Sequence, residues 1–158
     1  MTALSDRLIR LKDSSDKRFF RDVLGRYPTG VSVVTSVDEQ DNPVGMVVGS
    51  FTSVSLDPPL VAYMASRDSS SYAILRKYKK FCVNVLSDDQ EDVCRAFATR
   101  KGAAKFADVT WAASALGSPM IDGAVAWVDF SDHDVVVAAY HLINDGAVDP
   151  RYCAVDHW

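Results

Sequence analysis

Cysteine is scarce in this chain and badly spaced for a scaffold: Cys82, Cys94 and Cys153 are odd in number, far apart, and belong to no CxxC pair or Cys/His cluster. Neither a disulfide framework nor a structural zinc site follows from such a set, and the thiols read as free and buried. No metal is expected. An excess of basic residues is missing too: the formal net charge is -4, whereas a surface built for phosphate backbones leaves a basic footprint. Nucleic acid is thereby set aside, and small molecules or other proteins are the expected partners. No apolar run reaches the length of a membrane span, and the opening stretch MTALSDRLIRLKDSSDKRF carries charge throughout, without the apolar core of a signal peptide. A soluble, cytoplasmic protein is expected, with no membrane partner. What the chain does have is 158 residues of 48% hydrophobic content, enough to bury one sizeable core. A single domain over residues 1–158 follows, with residues 1–15 as a loose leader.

Periodicity divides the chain into short strands and a few helices. A helix beginning near Asp16 repeats Phe19, Phe20, Val23, Leu24 and Tyr27 at steps of three and four, which places them on one face toward a core. Val31, Val33, Thr35 and Val37 alternate with their neighbours, and the loop DEQDNP leads to Val44 as a hairpin does. From Ser69 to Lys80 the period becomes helical. Tyr72, Leu75 and Tyr78 share a face there, and Arg76, Lys77, Lys79 and Lys80 gather near the C-terminal end, where the helix dipole favours cations. Phe81 to Leu86 is an apolar strand, and Ser87-Asp-Asp-Gln90 is a capping box that opens a second helix with Val93, Ala96 and Phe97 inward. Gly102 interrupts that pattern, leaving Lys105 and Phe106 in a loop. Ala124 to Phe130 and Val135 to Tyr140 read as a tight hairpin through Ser131-Asp132-His133-Asp134, and residues 152–155 as a last strand. Short strands with about three helices fit a mainly β fold with helical additions, an antiparallel barrel rather than alternating parallel units.

Chemistry concentrates in residues 43–61, PVGMVVGSFTSVSLDPPLV. Val44, Met46, Val47 and Val48 favour a strand, and Gly49 leaves the backbone open to close approach. Ser50, Thr52, Ser53 and Ser55 offer hydroxyls on alternating faces. Pro58 and Pro59 lack amide donors and stop strand pairing before Leu60 to Tyr63. A neutral, hydroxyl-rich concave surface suits a flavin ring and its ribityl chain. A half-buried Ser/Thr-rich strand explains the same residues without any ligand.

The ordered segments FRDVLGRYPTGVSVVT from Phe20, VGMVVGSFTSVSLDPPLV from Val44, FCVNVLSDDQEDVCRAFA from Phe81, KFADVTW from Lys105 and LGSPMIDGAVAWVDF from Leu116 resemble the flavin reductase-like family. The resemblance implies an antiparallel split β-barrel. It further implies that Val44, Gly45, Met46, Val47, Gly49 and Ser50 contact the isoalloxazine ring and ribityl chain, largely through backbone, and that Met64, Ala65 and Ser66 continue that wall. Ser70, Ser71 and Lys105 are the implied holders of the flavin phosphate, a hydroxyl-plus-cation set suited to an anion. Read alone, Lys105 is as well explained as a solvated loop charge, and Ser70 and Ser71 as helix caps, a role that is compatible with anion binding.

Ser131-Asp132-His133, with Asp134 behind it, matches the family's nicotinamide-site turn, and the resemblance implies that His133 orients the nicotinamide; an exposed hairpin histidine is the alternative. The implied activity is an NAD(P)H:flavin oxidoreductase, a homodimer that takes hydride from NADH or NADPH onto FMN or FAD and supplies reduced flavin to a partner monooxygenase. The cofactor carries that chemistry, so no catalytic side chain is firmly assigned. Against the family pattern the 131–134 turn is short and residues 141–158 are atypical. Those departures keep open a flavin-binding accessory or sensor module, or a related enzyme using flavin or deazaflavin on another substrate.

Overall fold

The computed structural model describes residues 22–66, 68–78, 80–130, 135–140 and 155–157. Its strands are β1 (Ser32–Val37), β2 (Pro43–Val48), β3 (Thr52–Leu56), β4 (Pro59–Ser66), β5 (Phe81–Val85), β6 (Trp111–Ala113), β7 (Pro119–Ile121), β8 (Ala126–Phe130), β9 (Val135–Tyr140) and β10 (Val155–His157). The helices are α1 (Ser70–Tyr78) and α2 (Glu91–Thr99), followed by a 3-10 turn at Gly102–Phe106.

The branched residues of β1 and β2 form the expected antiparallel hairpin, with Ser32 opposite Val48 and Val37 opposite Pro43. Its turn is held by the Asp38 carboxylate, which accepts the amides of Gln40 and Asn42, each at 2.9 Å. β5 pairs with the other side of β1 and β8 with β5, giving one sheet in the order β2-β1-β5-β8. A second sheet runs β10-β9-β4-β3, and β6 with β7 makes a separate two-stranded ribbon.

The first sheet is covered on both faces. On one side Val34, Val48, Phe81, Val83 and Phe130 meet Tyr63 and Ala65 of β4 and Tyr72 and Leu75 of α1. On the other, Val33 meets Phe97 of α2, Phe106 of the 3-10 turn and Ile121 of β7. Each such apolar side chain taken from water is worth about 1.5–3 kcal/mol. Two-sided cover explains why Ser32 to Ser36 are all buried, where alternation alone suggests one wet face. α1 buries Tyr72 and Leu75 as expected, and α2 buries Ala96 and Phe97.

Several expectations need correction. β8 and β9 do not form a tight hairpin: β8 pairs antiparallel with β5, whereas β9 pairs parallel with β4, Val61 opposite Val135 and Ser66 opposite Tyr140. The chain changes sheets between residues 130 and 135, and a short polar link is equally compatible with a hairpin and with such a crossing. Leu24 is 54% exposed and Tyr27 73%, so neither packs on the core; Val23 of the same predicted helical face is half-buried, and Phe19 and Phe20 lie outside the described residues. The expected Ser87–Gln90 capping box does not open α2, whose cap is Gln90 with no side-chain cap bond. Gln90 Oε1 accepts the Ser87 amide at 3.1 Å, but the Ser87 hydroxyl turns to Asp89. A strand is described at Val155–His157, and residues 152–154 of the predicted last strand lie outside the described residues.

Candidate functional site

Among the described residues β2 is an edge strand of the first sheet, paired with β1 alone. Its Gly45 faces α2 and the 3-10 turn so closely that an added Cβ would lie 2.5 Å from Phe97 Cε1 and 3.3 Å from Phe106 Cζ. No real side chain tolerates the first distance, so glycine is required there for close approach rather than for an unusual φ. The same turn carries Lys105. Instead of a solvated loop residue, Lys105 is only 8% exposed, and Phe106 beside it only 7%. The short 3-10 turn after Gly102 points both consecutive side chains inward, one apolar and one charged.

Lys105 Nζ donates to the Gly45 carbonyl at 2.9 Å and to Ser71 Oγ at 3.0 Å. Both acceptors are neutral. Among the described residues the ion pairs are Lys77 with Glu39, Arg95 with Glu91 and Arg100 with Asp108, so no described carboxylate neutralises Lys105. Burial alone pushes its pKa below the ordinary 10.5. Ser71 lies in the first turn of α1, where helix amides carry partial positive charge. The cap of that helix is Ser69, whose Oγ accepts the Tyr72 amide at 3.3 Å, rather than Ser70 or Ser71. Lys105 keeps a third N–H, the Ser71 hydroxyl keeps its own proton, and the helix end adds its field: the set is a receptor for an anion.

A second junction joins the two sheets. Ser50 Oγ accepts the Met64 amide at 2.8 Å and donates to the Met64 carbonyl at 3.2 Å, tying the end of β2 to β4. Ser66 Oγ accepts the Asp68 amide at 3.3 Å, and the Ser69 amide bonds the Ser66 carbonyl at 3.0 Å, which turns β4 into α1.

The residues singled out from sequence therefore fall into sets. Gly45, Ser71 and Lys105 meet directly, and Ser50 meets Met64. Val44, Met46 and Val47 are half-buried along β2, with Met46 packed on one core and Val47 on the other. Ala65 is 1% exposed and turns its methyl into the core, so only its backbone is available to a ligand. Gly49 and Ser70 are exposed. Thr52 and Ser53 are exposed along edge strand β3, so the four hydroxyls of that stretch do not share one concave surface. Ser131, Asp132, His133 and Asp134 lie outside the described residues. Sequence reasoning missed the contact of Phe97 and Phe106 with Gly45. Elsewhere a cleft of about 230 Å³, lined by Thr110, Trp111, Ala112, Met120, Asp122 and Trp127, shares no residue with these sets.

Residues 24–151 match the family model described as flavin reductase like domain. The chain is 47% identical over 148 residues to a flavin reductase of Pseudomonas putida, covering 94% of this chain and 85% of that one. It is 40% identical over 134 residues to HsaB, the reductase subunit of a flavin-dependent monooxygenase of Mycobacterium tuberculosis, covering 85% of this chain and 71% of that one. Among solved structures, the NADH:FAD oxidoreductase SgcE6 of Streptomyces globisporus superposes with a TM-score of 0.67 at 40% identity, over 77% of this chain and 73% of the other.

Proposed function

The chain belongs to the flavin reductase-like family, and from that premise we propose that it is an NAD(P)H:flavin oxidoreductase supplying reduced flavin to a separate monooxygenase. The observation that carries the reading is the buried Lys105 ammonium, held by Gly45 and Ser71 beside the start of α1 with no described counter-ion. A flavin phosphate is the anion that completes it. The residues fit such a group in a second respect: Gly45 places bare backbone next to the cation, and Gly49 and Ser50 continue that backbone toward Met64.

On this reading Lys105 and Ser71, with Ser70 at the exposed edge of the same helix turn, take the phosphate. Val44, Gly45, Met46, Val47, Gly49 and Ser50 line the flavin, together with Met64 and the backbone of Ala65 and Ser66. Ser131, Asp132, His133 and Asp134 take the nicotinamide, His133 orienting it. The flavin, once bound, accepts hydride from NADH or NADPH; this chain binds, aligns and excludes water, without a side chain acting as acid or base. Support for a monooxygenase partner comes from HsaB, itself a reductase subunit of one. A homodimer is supported by edge strand β3, where Val54 is 53% and Leu56 91% exposed, an apolar edge that a second copy would cover. The cytoplasm, where reduced nicotinamides are made, is the proposed compartment.

The test is steady-state oxidation of NADH and NADPH by purified protein with FMN, FAD or no added flavin. Flavin-dependent oxidation over many turnovers is expected. Flavin binding without oxidation of either nicotinamide would overturn the activity.

A further inference from the structure

Gly45 is fixed at two atoms from one side. Its carbonyl oxygen accepts Lys105 Nζ at 2.9 Å, and its α-carbon lies under Phe97, with the position of a would-be Cβ 2.5 Å from Phe97 Cε1. Phe97 has little freedom of its own: it is 2% exposed and stands edge-to-face on Phe106, ring centroids 4.9 Å apart and planes at 80°. Phe106 and Lys105 are neighbours in the same 3-10 turn. The contacts thus close a circuit, from Phe97 to Gly45, to Lys105, to Phe106 and back to Phe97.

Such a circuit does more than fill a core. An ordinary core ring meets other side chains, which adjust their rotamers when it shrinks; this ring meets bare backbone, which moves only by moving the strand. Among the described residues β2 is moreover an edge strand, so α2 and the 3-10 turn supply the restraint that a second neighbouring strand would otherwise give. We infer that Phe97 is a positioning residue for flavin: its ring sets where the Gly45 backbone stands relative to the Lys105–Ser71 cluster, and so sets flavin affinity without touching flavin. The inference rests on the proposed flavin site.

Replacing Phe97 by Leu opens space under Gly45 and lets β2 relax. The expected result is a flavin Kd and flavin KM raised about tenfold, with the nicotinamide KM changed by less than about twofold, since misplacement of a binding group by a fraction of an ångström is costly. Gly45→Ala forces the same strand outward and weakens flavin at least as much. In the double variant the smaller Leu makes room for the new methyl, so G45A/F97L binds flavin more tightly than G45A alone. Phe97→Met, of about the same volume as Leu but unbranched and more adaptable in shape, serves if F97L fails to fold. A double variant whose losses simply add, or an F97L effect that reaches both substrates equally, overturns the positioning role. Lys105→Met is measured alongside. If it weakens flavin while F97L and F97M do not, the positioning role alone falls; if it leaves the flavin Kd unchanged, the phosphate reading falls and takes the inference with it.

Discussion

Two of the polar clusters buried among the described residues are built on opposite plans. The first ties Asn84 and Thr35, both fully buried, to the ribbon of β6 and β7. Asn84 Nδ2 donates to the Val33 carbonyl and to Thr35 Oγ1, each at 3.0 Å, its Oδ1 accepts the Ile121 amide at 2.6 Å, and Thr35 Oγ1 donates to the Pro119 carbonyl. All its groups are neutral and matched within the chain. The second, Lys105 with Gly45 and Ser71, contains a full charge and, among the described residues, only dipoles to answer it. A neutral network that closes on itself stabilises and does nothing more; a buried cation without a counter-ion is a cost that a fold keeps when something outside the chain completes it.

The comparison breaks first, and most visibly, at Asn84. Asn84→Ala leaves the Ile121 amide without its acceptor and takes a side-chain donor from the Val33 carbonyl and the Thr35 hydroxyl, in a place water does not reach. The expected loss is about 3–5 kcal/mol of folding stability, read as a lower urea midpoint. Flavin affinity of the molecules that remain folded is expected to stay near the wild-type value. A normal midpoint with weakened flavin would reverse the assignment of the two clusters.

Lys105→Met tests the other plan and predicts the opposite division of effects. Flavin Kd rises by about 10- to 100-fold, the range for loss of one or two charge-assisted hydrogen bonds. Stability stays level or increases, because a buried charge is exchanged for an apolar chain of similar length. Loss of stability on the scale of Asn84→Ala would make Lys105 part of the architecture.

The pH dependence sharpens the same point. Burial holds the folded pKa of Lys105 below the 10.5 of an ordinary lysine. Between those two values the unfolded chain binds the proton and the folded chain does not, so stability relative to Lys105→Met rises with pH across that window; below it both states are charged and the burial penalty is present in full. A bound phosphate favours the charged form and draws the proton back. Affinity for FMN therefore falls as pH rises through the depressed pKa, before an ordinary lysine would titrate, while riboflavin, which lacks the phosphate, shows no such fall. Titrations of both flavins against wild type and Lys105→Met, followed by flavin fluorescence, check this.

Legibility in the sequence followed the range of the interaction. The β1–β2 hairpin and α1 were readable because their periods and turn residues are local, as the Asp38 turn illustrates. Partners that depend on distant residues were not. Nothing near Phe130 distinguishes a return along the same sheet from a crossing to the other, since the outcome is decided by the pairing of β8 with β5 and of β9 with β4. The three-residue strands β6 and β7 are too short to show a period. At the site, the resemblance named Lys105 and Ser71, but their burial depends on a 3-10 turn that Gly102 alone did not announce, and the pressure of Phe97 on Gly45 joins residues 52 positions apart.

The smallest effect separates two neighbours that the resemblance treats alike. Ser71 is buried and accepts from Lys105 at 3.0 Å, while Ser70 is exposed on the other side of the same turn. Ser71→Ala removes one of the two acceptors that hold the ammonium in place and one hydroxyl proton open to a phosphate oxygen. Loss of one such hydrogen bond is worth about 1 kcal/mol, or roughly a fivefold rise in FMN Kd, and Ser70→Ala is expected to stay within about twofold. Equal losses at the two serines would mean that the phosphate sits at the exposed end of α1 and is drawn by the helix amides more than by Lys105. A loss at Ser71 as large as that of Lys105→Met would mean that the hydroxyl and the ammonium act as one unit, with the charge ineffective until Ser71 orients it.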